Sequence, residues 1–251
     1  MGDAFEAFVA GQLQDGIQIK VKLTAGKQLL VNDTYEVLNG EIHRRIALYV
    51  LPFENKGVEV GVTLHHPHGQ IYAYPFVPPV PTQMQVCQQN YYQQQQRGLL
   101  QDLIQKEIKD DRRILYRDQD AIAFVPVCAR YPYEVWVAPI QPVATFLDLT
   151  PNQHQGLARA LKTVTLKYDG LWNRPFPYLM AWFQAPIDGQ PHPEWHLHAE
   201  FYPPYRTPDK LKYLAGTELA AGMFANDALP EEKAKELQSV KVNLAKTSIA
   251  P

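Results

Sequence analysis

The sequence predicts an α+β fold of two related halves, each an antiparallel sheet with helices packed on one side. Three observations predict it. First, the stretch Leu64-His65-His66-Pro67-His68-Gly69-Gln70-Ile71-Tyr72 places three histidines and a glutamine between two apolar runs. Second, its pattern His66-x-His68-x-Gln70-Ile-Tyr returns far downstream as His196-x-His198-x-Glu200-Phe-Tyr, and self-similarity at long spacing marks a duplicated unit. Third, each copy follows a strand-like run and a turn: residues 46–53 with Glu54-Asn55-Lys56-Gly57, and residues 178–183 with Pro186-Ile187-Asp188-Gly189. Segments with helical periodicity lie between the copies, so sheet and helix belong to one architecture. We divide the chain into residues 1–82, a shortened N-terminal half that carries the His-Pro-His-Gly-Gln motif, and residues 83–251, the C-terminal half.

Taken in order, Ile17-Gln18-Ile19-Lys20-Val21-Lys22-Leu23 alternates strictly and predicts a half-buried strand. Residues 28–31 and 35–37 continue a meander through turns at Ala25-Gly26 and Asn39-Gly40. Strands follow at 46–53 and 66–74, and the prolines of residues 75–81 form a rigid connector. A Gln-rich helix is expected over 83–109, with Tyr91-Tyr92 and Leu99-Leu100-x-x-Leu103-Ile104 as its apolar face. Strands are expected near 113–117, 120–127 and 133–138. Thr150-Pro151-Asn152-Gln153 is a capping box with proline at the first helical position. It opens a helix to about Leu171, with Leu157, Leu161, Val164 and Tyr168 on one stripe. Strands at 177–184 and 194–202, a helix near 208–222 and a helix from Pro230-Glu231-Glu232 complete the chain.

Bulk properties narrow the function. A length of 251 residues supports one large or two small domains. The net charge of −2 carries no basic field, so no nucleic-acid partner is expected. The only cysteines, Cys87 and Cys128, have no CxxC context, which argues against a disulfide scaffold and a Cys-rich zinc site and fits a cytoplasmic, reducing setting. The opening Met1-Gly2-Asp3-Ala4-Phe5-Glu6 has no basic region or long apolar stretch, so neither a secretory leader nor a membrane partner is expected.

The motif carries the chemistry. On an extended segment alternate residues share a face, so His66, His68 and Gln70 point one way and His65 the other. A neutral imidazole is a nucleophile near physiological pH, and a neighbouring amide can donate to a phosphoryl oxygen. The same residues also suit a metal site, and chemistry alone leaves both open.

At these residues the chain resembles a known family. Phe53-Glu54-Asn55-Lys56-Gly57, Gly61 and His66-Pro67-His68-Gly69-Gln70-Ile71 are similar to the galactose-1-phosphate uridylyltransferase family of the histidine-triad superfamily. So are Phe176-Pro177-Tyr178, Ala185-Pro186, Leu197-His198-Ala199, Phe201-Tyr202-Pro203-Pro204 and Lys212-Tyr213-Leu214-Ala215-Gly216. The resemblance runs from about Ile46 to about Leu237 and implies two histidine-triad-like halves. The family normally has a longer N-terminal half, which supplies much of the nucleoside pocket and three usual zinc ligands. Those residues are not recognisable in residues 1–45.

The resemblance implies uridylyl transfer from UDP-glucose to galactose 1-phosphate through a covalent uridylyl-histidine, with no organic cofactor. His68 is then the nucleophile and Gln70 its phosphoryl-binding partner. Asn55, Gly61 and Thr63 match the phosphate-side wall, while Lys56 is expected to be a solvated turn residue. Lys212 and Gly216 match a C-terminal sugar-phosphate segment that can reach a neighbouring subunit, which implies a homodimer; Tyr213 and Glu218 sit beside them. His66 matches a zinc-ligating position, and it can instead orient the loop by fixing the His68 tautomer through its backbone carbonyl. Some members hold iron in the second copy, and there only His198 matches; the other ligand positions fall on Met84, Phe183 and Glu200. His192, His196, His198 and Glu200 could form a facial cluster on one strand, or a polar face at an interface. His43 and His154 are expected at the surface. The enzymatic alternative is a nucleotidyltransferase or phosphorylase using an ADP-sugar or dinucleoside polyphosphate. The alternative from another class is a non-catalytic chain that keeps the fold.

Overall fold

The computed structural model describes residues 7–9, 19–21, 33–38, 41–63 and 69–244, with side chains from Ala47 onward. Two short hairpins come first. β1 (Ala7–Val9) pairs with β2 (Ile19–Val21), and β3 (Asp33–Leu38) pairs with β4 (Glu41–Ile46), all antiparallel. The expected strand at 28–31 lies outside the described residues.

The body is one seven-stranded sheet. It contains β5 (Tyr49–Lys56), β6 (Gly69–Tyr74), β7 (Ile114–Arg117), β8 (Ala121–Phe124), β9 (Val135–Pro139), β10 (Tyr178–Phe183) and β11 (His198–Tyr202) in the order β6-β5-β10-β11-β9-β8-β7. Every neighbouring pair is antiparallel. The two motif copies therefore share one continuous sheet, joined where β5 pairs with β10.

The register shows how they are related. Phe53 pairs with both Gln70 and Ala181, and Ala181 pairs with both Phe53 and Glu200. A two-fold axis between Phe53 and Ala181 thus carries β5 onto β10 and Gln70 onto Glu200, as the repeat alignment requires. Paired residues of an antiparallel sheet project to one face. Gln70, Phe53, Ala181, Glu200, Trp136 and Phe124 consequently form one row on one face.

Helices cover both faces of the C-terminal part. α3 (Pro151–Leu171) starts at the expected capping box, in which the Gln153 amide N–H donates to Thr150 Oγ1 at 3.2 Å and the Thr150 amide N–H donates to Gln153 Oε1 at 2.9 Å. It lays Leu157, Ala160, Val164 and Tyr168 against Val135, Val137, Ala199 and Phe201. Tyr168 stacks on Phe176 with centroids 5.1 Å apart and donates to the Tyr133 carbonyl at 2.7 Å. α5 (Pro230–Ser239) packs Ala234 and Leu237 into the same core. On the face of the Gln70–Glu200 row, α2 (Leu99–Asp110) packs Leu100 and Ile104 on Ile122, Phe124 and Ala138. α1 (Pro79–Gln95) sets Met84 against the cluster of Phe183, Ala185 and Trp195.

Two expectations change in detail. The helix predicted over 83–109 is two helices, because Gln96 adopts a left-handed backbone (φ 55°) that closes α1, and Gly98 opens α2. α1 also begins at Pro79, within the predicted connector, since a first-turn proline sacrifices no intrahelical bond. The helix expected over 208–222 is only α4 (Gly216–Ala221). It follows a hairpin of β12 (Tyr205–Thr207) and β13 (Lys210–Leu211) that turns at Pro208-Asp209. No helix among the described residues is long and apolar enough to cross a membrane.

Candidate active site

The first motif copy is built on the β5–β6 hairpin. Gln70 is half-buried on β6, opposite Phe53, and Asn55 lies two residues further along β5 on the same face. Gly57 leaves β5 with φ 104°, where a Cβ would stand 2.5 Å from the Pro177 Cβ, so only glycine fits this turn. Gly61 follows in the left-handed region after the single turn Val58–Val60, and Gly61 and Thr63 are exposed. His65, His66 and His68 lie outside the described residues. The Lys56 ammonium turns to the opposite face and binds Asp169 at 2.7 Å, over the Tyr178 ring. It is therefore a partnered strand residue rather than a solvated turn lysine.

The second copy is closed. His198 is buried on β11, with Nδ1 2.8 Å from the His196 carbonyl and Nε2 3.1 Å from Glu200 Oε1. Phe183 stacks against its ring and Trp136 tilts across it. Glu200 is fully buried and also receives hydrogen bonds from Arg130 and the Tyr202 hydroxyl. Arg130 donates to Glu134 at 3.3 Å as well, and its guanidinium lies over Tyr202 and Phe224. Burial pushes the Glu200 carboxyl upward, but His198, Arg130 and Tyr202 together hold it below the usual carboxylate range. At Glu134 burial dominates and raises it.

His196 is buried against the Pro139 carbonyl at 2.8 Å, and burial lowers its imidazole to about 4. His192 lies apart, in the loop before β11. Its Nε2 is 2.9 Å from Asp188 and its Nδ1 is 3.1 Å from Glu194, which also accepts from Gln89 of α1 at 3.4 Å. The facial cluster expected on one strand is thus split, with His192 serving the loop.

This geometry tests the implied metal. His198 Nδ1 faces the His196 carbonyl and Nε2 faces Glu200 Oε1. Of the other implied iron positions, Met84 and Phe183 pack in the apolar cluster and Glu200 is held by Arg130. No group of three or more His, Cys, Asp and Glu suited to a metal occurs among the described residues. With Met84 and Phe183 at two of the four implied positions, the residues around His198 do not fit the implied iron centre.

Lys212 is buried. Its ammonium donates to the Ala225 carbonyl, lies 3.5 Å from Glu218 and stands over Tyr131. Glu218 caps α4 through the Ala215 and Ala225 amides, which with Thr217 hold its carboxyl down at about 2. Gly216 opens that helix with free space around its Cα, and Tyr213 is 76% exposed. His154 is exposed, as expected. Sequence reasoning missed Arg130 and Glu134; their i,i+4 spacing just before a strand was the available signal.

Comparison with known proteins places these features in context. Residues 27–78 match the model of the N-terminal domain of galactose-1-phosphate uridyl transferase, and residues 85–248 match that of its C-terminal domain. The chain is 38% identical over 197 residues to galactose-1-phosphate uridylyltransferase of Thermotoga maritima, covering 78% of this chain and 61% of that protein. It is 34% identical to a probable galactose-1-phosphate uridylyltransferase of Drosophila melanogaster, covering 87% and 63%. A solved uridylyltransferase mutant is similar at 36% identity with a TM-score of 0.73, covering 77% of this chain and 63% of that one. An ADP-glucose phosphorylase from Arabidopsis thaliana shares the fold at 24% identity and a TM-score of 0.67, covering 78% and 60%. The chain spans about three fifths of the length of these relatives.

Proposed function

The chain belongs to the galactose-1-phosphate uridylyltransferase family, and from that premise we propose that it transfers a uridylyl group from UDP-glucose to galactose 1-phosphate through His68. The observation that carries this reading is the partial exposure of Gln70. Gln70 stands half-exposed on the strand that the His-Pro-His-Gly-Gln motif opens, with Asn55 on the same face.

The chemistry has two displacements. A His68 imidazole nitrogen attacks the α-phosphorus of UDP-glucose, an N–P bond forms, and the P–O bond to glucose 1-phosphate breaks. A phosphate oxygen of galactose 1-phosphate then attacks the same phosphorus. The N–P bond breaks, UDP-galactose leaves and the imidazole is restored. Gln70 donates its amide to the non-bridging oxygens as charge develops on them, and Asn55 supports the same side.

The second copy shows a backbone contact that the first can use. There the His196 carbonyl accepts from His198 Nδ1 at 2.8 Å. The same bond from His68 to the His66 carbonyl would protonate Nδ1 and leave Nε2 as the attacking atom. We take the working form to be a cytoplasmic homodimer, in keeping with the free Cys87 and Cys128 and with the exposed Tyr213 beside the matched C-terminal segment.

Mass spectrometry after mixing with UDP-glucose alone tests the reading. One uridylyl unit on the peptide that holds His68, removed by galactose 1-phosphate, is the expected result. No adduct and no binding of UDP-glucose would overturn it, and turnover with ADP-glucose instead would favour the phosphorylase alternative.

A further inference from the structure

One carboxylate sits where helix electrostatics disfavour it. Asp169 stands in the last turn of α3, at the negative end of the helix dipole. Its partners account for it there. Asp169 Oδ1 accepts from the Lys56 ammonium at 2.7 Å and from the Phe176 amide N–H at 2.8 Å, and Oδ2 accepts from the same ammonium at 3.0 Å. Lys56 is the last residue of β5 and the strand neighbour of Asn55, so the two side chains take opposite faces. The turn that follows is held from the same half of the chain. Gly57 seats against Pro177, and Glu59 accepts from the Tyr205 hydroxyl at 3.1 Å. Gly61 and Thr63 come next. Asp169, Pro177 and Tyr205 thus anchor the stretch that carries Asn55, Gly61 and Thr63.

We propose that Asp169 is a positioning residue for uridylyl transfer: by holding Lys56 on the opposite face, it sets the rotation of the end of β5 and keeps Asn55 on the face of Gln70. This rests on the uridylyl-transfer reading and adds to it a residue that acts through its neighbours and not on the substrate. The ion pair is partly solvated, with the two side chains 31% and 42% exposed, so it contributes little to global stability. Its place gives it a local task instead. Among the described residues, β6 pairs with β5 only as far as Glu54, whereas β10 runs on to Lys56. Asn55 and Lys56 are therefore laddered on one side. The glycine that follows offers little resistance to rotation, so the tether comes from the Lys56 side chain. Asn55 is one residue from that tether, and a displacement of about 1 Å is enough to weaken a contact that must meet a phosphoryl oxygen.

Steady-state kinetics of the full chain with UDP-glucose and galactose 1-phosphate test this. Asp169→Asn removes the charge and keeps an oxygen for the Phe176 amide. It should lower kcat/KM for UDP-glucose roughly tenfold and leave the melting temperature nearly unchanged. The decisive readout is a double-mutant cycle with Asn55→Ala. If Asp169 acts through Asn55, adding Asp169→Asn to Asn55→Ala should cost less than about twofold more. A further tenfold loss in that background would overturn the proposal, because the two residues would then act independently. Full activity in Asn55→Ala would overturn it as well. Wild-type kcat/KM in folded Asp169→Asn would remove the positioning role and leave uridylyl transfer standing. A wild-type chain that neither takes up a uridylyl unit nor turns over would remove both proposals. Should Asp169→Asn fail to fold, Lys56→Met takes its place in the same cycle, since it leaves Asp169 with Phe176, and the same outcomes decide.

Discussion

Gln70 and Glu200 occupy equivalent places about one axis in one sheet, yet Gln70 keeps exposed surface and Glu200 has none. Gln70 lies on the outer strand of the sheet beside partly exposed rings. Glu200 lies two strands into the other half, with no exposed surface, and every partner it has is supplied by the chain. One side-chain change accompanies this difference. A neutral amide can approach a phosphoryl group, whereas a carboxylate repels one and, once buried, needs a cation. Arg130 is that cation. On the proposed reading, the same strand frame serves chemistry at Gln70 and stability at Glu200, where helices and an arginine close it.

Making the same substitution in both copies gives the largest expected difference. His68→Ala should abolish the uridylyl adduct and turnover altogether, and His65→Ala should not. His198→Gln should leave an adduct on the His68 peptide and lower the melting temperature instead, since a buried carboxylate loses one of its donors. An adduct found on His198, or full activity in His68→Ala, would erase the distinction between the copies.

Arg130→Met addresses the seal itself. Glu134 and Glu200 are both fully buried, and removing the shared cation leaves them without their charge partner. Breaking a buried pair from one side typically costs about 3–5 kcal/mol. Urea denaturation should show a loss of that order. A loss under about 1 kcal/mol would mean that His198 and Tyr202 suffice without Arg130.

How much of this was legible in the sequence depends on the range of the interaction. The capping box at Thr150 and Gln153 and the stripe of Leu157, Val164 and Tyr168 are local patterns, and they appear where expected. The left-handed Gln96 that divides α1 from α2 is not local in this sense. Glutamine has no special preference for that backbone, so the local signal for the break was Gly98, which opens α2. At the site, spacing alone set Gln70 and Glu200 in equivalent positions. The closure of the second copy was hidden because Arg130 and Glu200 are 70 residues apart and meet only through the pairing of β9 with β11.

Gln70→Ala measures the first copy more finely. Loss of one transition-state hydrogen bond should lower turnover roughly 10²-fold while the chain stays fully folded. Glu200→Gln in the sealed copy should do the reverse, reducing stability with little change in rate. Steady-state kinetics paired with melting curves separate the two, and a Gln70→Ala chain with unaltered kcat would remove Gln70 from the reaction.

The smallest effect compares the loops that enter the two strands. The loop before β6 is described as far as Thr63 and turns on Gly57 and Gly61. The loop before β11 is fastened by His192 between Asp188 and Glu194, and by Gln89 of α1 on Glu194. Burial lowers the His192 imidazole, but the hydrogen bonds and charges of the two carboxylates outweigh it and raise it above its ordinary 6.5. A histidine raised on folding stabilises fully below its unfolded value and loses that contribution as pH rises through the folded one. The clamp therefore weakens as pH rises above 6.5. His196, lowered to about 4, acts in a different window: the unfolded chain takes up its proton between pH 6.5 and 4 and the folded chain does not, so stability falls there as pH falls. Melting temperatures measured from pH 5 to 9 should decline on both flanks. His192→Gln should flatten the decline that sets in above pH 6.5 and leave the acid one. If the decline above pH 6.5 survives in His192→Gln, the clamp does not hold this loop by charge, and the two loops differ in shape alone.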